Sequence, residues 1–170
     1  MSKQQIYLTQ IIGEQYKLWL PGDTILLDSP TGTGKTSICL KLAEDAMHTD
    51  DKILYITSRI AKIEEFKIDT KDYAKTFIYI TYQKLEQDIS YRNIRALNEY
   101  INCKYIFIDE CHYFTDDIAM PDSNASLSEQ WLRTATTEKP IKIYASATAG
   151  RYFNLLRKSI YIPDDHVFTI

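Results

Sequence analysis

A nine-residue stretch, DSPTGTGKT at residues 28–36, contains the residue types that bind phosphate groups. Gly32 and Gly34 can adopt left-handed backbone angles, which allow successive N–H groups to converge on an anion. Lys35 supplies a positive charge for the β and γ phosphates of a nucleotide, and Thr36 offers a hydroxyl ligand for Mg²⁺. The stretch therefore predicts a site for a nucleoside triphosphate with Mg²⁺.

The spacing follows the Walker A pattern GxxxxGK[ST], except that Ser29 stands where the pattern has its first glycine. The helix predicted to begin near Gly34 adds its N-terminal dipole to the site. A glycine-rich turn that happens to contain Lys-Thr is the alternative, but this loop lies between an apolar strand and a helix. The predicted phosphate-binding residues are Pro30, Thr31, Gly32, Thr33, Gly34, Lys35 and Thr36.

Two acids are adjacent at the end of an apolar run: Asp109 is the last residue of YIFID, and Glu110 follows it. A phosphate loop needs an acid that holds Mg²⁺, and Asp109 is the candidate. Hydrolysis also needs a group that orients or deprotonates the attacking water, and Glu110 is the candidate for this role, with Lys35 as the second catalytic residue. The alternative is a solvated pair of carboxylates at the end of a strand.

His112 follows these acids and has two possible functional roles. A histidine near carboxylates can bind a metal, but the sequence has no second histidine at ligand spacing, and Cys111 with His112 does not form a zinc site. A hydrogen-bond relay is the favoured interpretation.

The elements that must position these residues alternate along the chain. Apolar runs at residues 24–28, 52–57, 76–80, 104–109 and 141–146 predict strands, and helical patterns separate them. This alternation predicts an α/β fold with a mostly parallel central sheet and helices on both faces, in three layers. Asp28, Asp109 and Ser146 end three of the strands, so they should lie at one edge of the sheet with the glycine loop.

The two ends of the chain and one internal segment are less regular. Residues 6–20 predict one helix or two short ones, and residues 116–126 predict a polar surface loop. The stretches SIYIP and VFTI near the C-terminus predict short strands or linker.

Composition limits the class of protein. The chain has 170 residues, which suits a single domain over residues 1–170, and its net charge of −3 leaves room only for local contacts with nucleic acid. Cys39, Cys103 and Cys111 are widely spaced and predict reduced thiols without disulfides. The sequence shows no secretory signal and no apolar run of membrane-spanning length, so we expect a cytoplasmic protein with no membrane partner.

Three motifs together resemble those of superfamily 2 helicases, the DEAD/DEAH-box and related DExH group. SPTGTGKT resembles their motif I, in which a small residue commonly stands where Ser29 is; DECH at residues 109–112 resembles motif II, and SAT at residues 146–148 resembles motif III. YITSRIA at 55–61 resembles motif Ia, and ITYQKL at 80–85 loosely resembles the next motif that contacts nucleic acid. The resemblance covers residues 22–150 and implies the N-terminal RecA-like domain of such a helicase, a P-loop NTPase domain.

The resemblance also implies roles for individual residues. Lys35 and Thr36 would bind the phosphates of ATP and Mg²⁺, Asp109 would hold Mg²⁺, and Glu110 would activate water. His112, Ser146 and Thr148 would couple the state of the nucleotide to nucleic-acid binding and to a second domain. The residues expected to touch the backbone of single-stranded DNA or RNA are Thr57, Ser58, Arg59, Thr81 and Tyr82. Helix N-capping is the alternative for Thr57 and Thr81, and the two roles can coexist.

The sequence departs from the family in two places. Gln10 and Gln15 lie upstream of the phosphate loop, but their spacing does not match a glutamine motif that reads adenine. The chain also ends soon after motif III, so the C-terminal helicase domain with its arginine fingers is absent from it. Because an arginine finger contributes roughly 10³–10⁵ in rate, we expect a motor half that binds ATP weakly and hydrolyses it slowly.

Two other classes of protein remain open. A P-loop small-molecule kinase usually carries an arginine-rich lid, whereas the arginines of this chain do not cluster; they are Arg59, Arg92, Arg95, Arg133, Arg151 and Arg157. A GTPase is disfavoured because the sequence has no NKxD motif. The remaining class is a solitary regulatory domain that binds nucleotide or nucleic acid without turnover.

Overall fold

The computed structural model describes residues 6–116, 125–136 and 138–170. The strands are β1 (Thr24–Asp28), β2 (Ile53–Thr57), β3 (Phe77–Thr81), β4 (Tyr105–Asp109), β5 (Ile141–Ser146) and β6 (Val167–Thr169). The α-helices are α1 (Leu8–Ile12), α2 (Lys35–His48), α3 (Ile60–Asp69), α4 (Tyr82–Ser90), α5 (Ile94–Ile101), α6 (Tyr113–Asp116), α7 (Ala125–Thr134) and α8 (Gly150–Ser159). Short 3₁₀ helices cover Gln15–Leu18, Lys71–Tyr73 and Asp164–His166.

The described strands form one six-stranded sheet in the order β3-β2-β4-β5-β1-β6. Every strand pair in it is parallel, so the sheet is wholly parallel where the sequence predicted a mostly parallel one. Helices flank the sheet, which confirms the predicted three-layer α/β architecture and is consistent with a RecA-like fold. The extra strand is β6, formed by part of the VFTI stretch, while residues 160–163 of SIYIP form no strand.

Burial on both faces explains the apolar strands. In β4, Tyr105 and Phe107 belong to the core on one face, while Ile106 and Ile108 belong to the core on the other. Helices α1, α2 and α3 cover the first face, and α4, α5, α7 and α8 cover the second. A strand buried on both faces has no polar alternation, which is why these segments read as continuous apolar runs.

Most predicted elements lie within a residue or two of the observed ones. The N-terminal segment forms the two short helices Leu8–Ile12 and Gln15–Leu18. Residues 117–124 of the predicted surface loop lie outside the described residues, and the ends of that stretch belong to α6 and α7. The three cysteines are free, in agreement with the predicted lack of disulfides, and all three are buried. Among the described helices, none has the length and apolarity that a membrane span requires.

Candidate active site

The phosphate loop joins β1 to α2 and has the backbone shape that its glycines predict. Gly32 has φ 82° and Gly34 has φ 95°, both in the left-handed region, and α2 begins at the next residue, Lys35. Ser29 does not have a positive φ, so a side chain is tolerated there without strain. The irregularity in the Walker pattern therefore does not disturb the loop.

Two backbone hydrogen bonds hold the loop from opposite sides. Leu8 N, at the start of α1, donates to Thr33 O over 2.8 Å, and Ser29 N donates to Ser146 O over 3.1 Å. Within the loop, the hydroxyl of Thr33 donates to Pro30 O over 2.6 Å. The N-terminal helix and the end of β5 thus fix the loop, a support that its own sequence does not reveal.

The ammonium group of Lys35 points back into the loop. Its Nζ donates to Ser29 O over 2.8 Å and to Pro30 O over 2.9 Å. Burial lowers the pKa of Lys35, and the negative charge of Asp109 opposes that shift. A phosphate group bound in the loop can accept the hydrogen bonds that these carbonyls now accept.

Asp109 is the last residue of β4, and both of its carboxylate oxygens accept hydrogen bonds. The hydroxyl of Tyr55 donates to Oδ2 over 2.7 Å, and Glu110 N donates to Oδ1 over 3.0 Å. The residue is only 8% exposed, and this burial raises the pKa of the carboxyl group although the Tyr55 hydrogen bond opposes the rise. Burial and the nearby Asp109 charge also raise the pKa of Tyr55, so its hydroxyl stays protonated and donates.

Glu110 directly follows β4 and has an unusual backbone. Its φ is 55°, in the left-handed region that residues with a side chain seldom adopt. The hydroxyl of Ser58, just after β2, donates to its Oε2 over 2.5 Å. The side chain of the candidate base is therefore held by the segment that the sequence assigned to nucleic-acid contact.

One cleft of about 550 Å³ brings the phosphate loop and the acidic strand end together. Of the predicted site residues, the cleft is lined by Thr31, Gly32, Gly34, Lys35, Thr36, Asp109, Glu110, His112, Ser146 and Thr148. Asp28 and Ser146 are paired across the sheet, as are Asp109 and Ala145, so the predicted meeting of these strand ends at one edge is confirmed.

The oxygen groups in the cleft fit Mg²⁺. Thr36 and Asp109 both line it, and oxygen ligands with several retained waters are what this ion prefers. No group of three or more His, Cys, Asp or Glu residues suited to a metal occurs in the part of the chain that is described, so nothing in the structure supports the zinc alternative for His112. The ion would take most of its remaining ligands from phosphate and water.

His112 contacts the SAT motif, as a relay would. A hydrogen bond of 2.9 Å joins Nδ1 of His112 to Oγ of Ser146, and Thr148 N donates to the same Oγ over 3.1 Å. Thr148 thus joins the cluster through its backbone, while its side chain is exposed. The cluster connects the end of β4 with the segment that leads from β5 into α8.

The five residues predicted to touch nucleic acid separate into two groups. Arg59 is exposed, and Ser58 and Thr81 are partly exposed. Thr57 and Tyr82 have no exposed surface, so in this structure neither can touch a nucleic-acid backbone; that prediction is corrected for these two. Tyr82 instead donates to Asp109 O over 2.7 Å and supports β4.

The structure shows which of the two threonines caps a helix. Thr81 caps α4 by accepting a hydrogen bond of 3.1 Å from Lys84 N. Thr57 caps no helix, and its hydroxyl has no hydrogen-bond partner among the described residues.

Sequence reasoning missed Tyr55 and Lys62, which also line the cleft. Lys62 lies in the first turn of α3, and its positive charge opposes the rise in the pKa of Asp109 that burial causes. Both residues lie within or next to the YITSRIA stretch, but only the pairing of β2 with β4 brings them to the acids. Gln10 has a local role, since its Oε1 accepts a hydrogen bond of 3.0 Å from Tyr7 N at the start of α1.

No protein-family model matches this chain, and a search of curated proteins finds no match to it either.

Proposed function

We propose that this chain is the ATP-binding half of a nucleic-acid-dependent ATPase of the helicase type that uses Mg²⁺. The observation that carries the proposal is the single cleft shared by the Walker-type loop and the Asp109–Glu110 pair, with His112 bonded to Ser146 at its border. A nucleotide-binding loop alone fits many enzymes. An acid pair followed by a histidine that is hydrogen-bonded to a serine on the next strand fits a motor domain that senses the state of its nucleotide.

Each residue has a part in the proposed reaction. The loop N–H groups and Lys35 bind the phosphates, and Thr36 with Asp109 holds Mg²⁺, which would neutralise the charge that develops on them. Glu110 accepts a proton from the attacking water. Tyr55 donates a hydrogen bond to Asp109 and fixes its carboxylate in place, which suits a ligand rather than a base.

Contacts with the backbone of single-stranded DNA or RNA are proposed for Ser58, Arg59 and Thr81. Thr57 and Thr81 are paired at the ends of β2 and β3, so these three residues lie near the same sheet edge as the cleft. Hydroxyl groups and one arginine can hold phosphates without making the whole surface basic, in agreement with a net charge of −3.

A second RecA-like domain is proposed as the partner that completes the site. All arginines of the chain lie in its described part, and none of them lines the cleft. An arginine that adds to the charge stabilisation by Lys35 and Mg²⁺ in the transition state would therefore come from another domain, and the chain alone would hydrolyse ATP slowly.

The test is ATP binding and single-turnover hydrolysis, with and without oligo(dT) and oligo(U). We expect binding that needs Mg²⁺ and Lys35, and hydrolysis that oligonucleotide stimulates. Glu110→Gln should abolish turnover and keep ATP binding, while Glu64→Gln, which alters an exposed ion-paired glutamate on α3, should change neither. Unchanged turnover in Glu110→Gln would remove Glu110 from the mechanism.

The same assays separate the two alternatives. Phosphoryl transfer to a small-molecule acceptor that is faster than hydrolysis would favour the kinase. Binding of ATP and oligonucleotide with no turnover under any condition would favour the regulatory domain.

A further inference from the structure

The hydrogen bond between Ser58 and Glu110 joins two segments with different proposed tasks. Ser58 directly follows β2 and belongs to the segment proposed to contact nucleic acid, and Glu110 directly follows β4 and is the proposed base. Their 2.5 Å separation is that of a strong bond between a hydroxyl and a carboxylate. No motif in the sequence links these two residues.

The strand order shows in which direction the hydrogen bond to Ser58 turns the carboxylate of Glu110. β2 lies on one side of β4, whereas the phosphate loop follows β1, which lies on the other side of β4 beyond β5. A carboxylate bonded to Ser58 is therefore turned toward β2, on the side of β4 opposite to the phosphate loop. Rotation about its side-chain bonds would bring it toward a water molecule beside the phosphates.

A hydroxyl group has one proton and can donate to one acceptor at a time. Ser58 is partly exposed and its neighbour Arg59 is exposed. If Ser58 donates to a phosphodiester oxygen, it no longer donates to Glu110, and the negative phosphodiester also repels the carboxylate. Donation by Ser58 to a nucleic-acid phosphate and retention of the Ser58–Glu110 bond therefore exclude each other.

We propose that Ser58 is a positioning residue that holds Glu110 away from the phosphate loop until a nucleic-acid backbone binds. The backbone phosphate then accepts the hydrogen bond of the Ser58 hydroxyl in place of Glu110. This inference rests on the proposed function. It gives nucleic-acid stimulation of ATP hydrolysis a direct physical route: the backbone phosphate replaces the carboxylate as acceptor, and the carboxylate becomes free to accept a proton from water.

The kinetic test uses Ser58→Ala, Ser58→Thr and Ser159→Ala, the last a serine at the end of α8 whose hydroxyl bonds Leu155 O. We expect Ser58→Ala to raise turnover without oligonucleotide about tenfold, the factor that corresponds to one hydrogen bond to a charged group. Stimulation by oligo(dT) or oligo(U) should fall toward one, with KM for ATP unchanged. Ser58→Thr keeps a hydroxyl group, so it should keep the low basal rate of the wild type. Ser159→Ala should behave as wild type.

Two kinetic results would overturn the inference. A lower basal rate in Ser58→Ala with stimulation retained would mean that Ser58 orients Glu110 for catalysis. No change in either quantity would mean that the bond has no role in turnover.

A second measurement does not depend on turnover. The ¹³C carboxyl signal of Glu110, assigned by its loss in Glu110→Gln, should shift when oligonucleotide is added to the wild type. In Ser58→Ala it should already be shifted and should not respond further. If Ser58→Ala does not shift the Glu110 signal, the Ser58–Glu110 hydrogen bond is contradicted. If oligonucleotide does not shift the wild-type signal, the release of Glu110 by nucleic acid is contradicted. Absent ATP binding would instead contradict the proposed function, so the two failures are distinct.

Discussion

The hydroxyl of Tyr55 donates a 2.7 Å hydrogen bond to Oδ2 of Asp109 and fixes the carboxylate at the base of the cleft. The tyrosine ring is itself fixed, because it stacks on Phe66 with ring centroids 3.9 Å apart and planes within 5°. The neighbouring strands β2 and β4 thus share a buried pair of polar groups. The geometry of the candidate metal ligand depends on an aromatic residue on another strand.

Tyr55→Phe should weaken both the fold and the binding of Mg²⁺-ATP. The variant keeps the stacked ring but removes a donor to a buried carboxylate, so we expect a loss of about 1.5–3 kcal/mol in the free energy of unfolding. Tyr79→Phe is the control, since it removes a hydroxyl bonded to Thr70 on the same core face. Urea denaturation and nucleotide titration check both. Equal ATP affinity in the two variants would contradict a role for Tyr55 in positioning Asp109.

Asp109→Asn should stabilise the fold near neutral pH while weakening Mg²⁺-dependent ATP binding. Burial raises the native pKa of Asp109 above its usual value of 3.8, so the ionised form is less favourable in the folded state than in the unfolded state. The stability of the wild type should therefore fall as pH rises through that native pKa.

The gain from Asp109→Asn should be largest near pH 7 and disappear at pH values where wild-type Asp109 is protonated in both states. Denaturation curves from neutral to acidic pH test this, with the exposed Asp165→Asn as control. A gain that does not change with pH would show that the charge of Asp109 is not its source.

The strands and the phosphate loop could be predicted because local patterns determine them. Apolar runs buried on both faces define β1, β2, β4 and β5, and the glycines define the loop. The strand order is set by tertiary packing, so the contacts of Asp109 with Tyr55 and of Glu110 with Ser58 could not be predicted. For the same reason, the burial of Thr57 was not foreseen: a strand's last residue can face either the solvent or the core.

Ser29→Ala should not destabilise the fold, and we expect it to raise the free energy of unfolding by up to about 1 kcal/mol. The hydroxyl of Ser29 is buried, and it has no hydrogen-bond partner among the described residues, so its removal relieves an unmet desolvation cost. Ser29→Gly, which restores the Walker glycine, should be less stable than Ser29→Ala by about 0.4–1 kcal/mol because glycine makes the unfolded chain more flexible. Urea denaturation gives the order, and a Gly variant more stable than the Ala variant would indicate strain at this position.

Asp88→Asn should destabilise the fold at neutral pH by about 2 kcal/mol, and the difference should vanish in acid. Asp88 is buried on α4 and accepts hydrogen bonds from Lys84 Nζ at 2.8 Å, Asn93 Nδ2 at 2.8 Å and Tyr100 OH at 2.9 Å. Burial raises the pKa of Asp88, but these bonds outweigh it and hold the pKa below 3.8. Its stabilisation is therefore complete above about pH 4 and is lost as pH falls through the lower native pKa. Urea denaturation of the wild type and of Asp88→Asn from neutral to acidic pH checks this prediction, with the exposed Asp165→Asn as control. A difference in stability that persists in acid would show that the ionised carboxylate is not its cause.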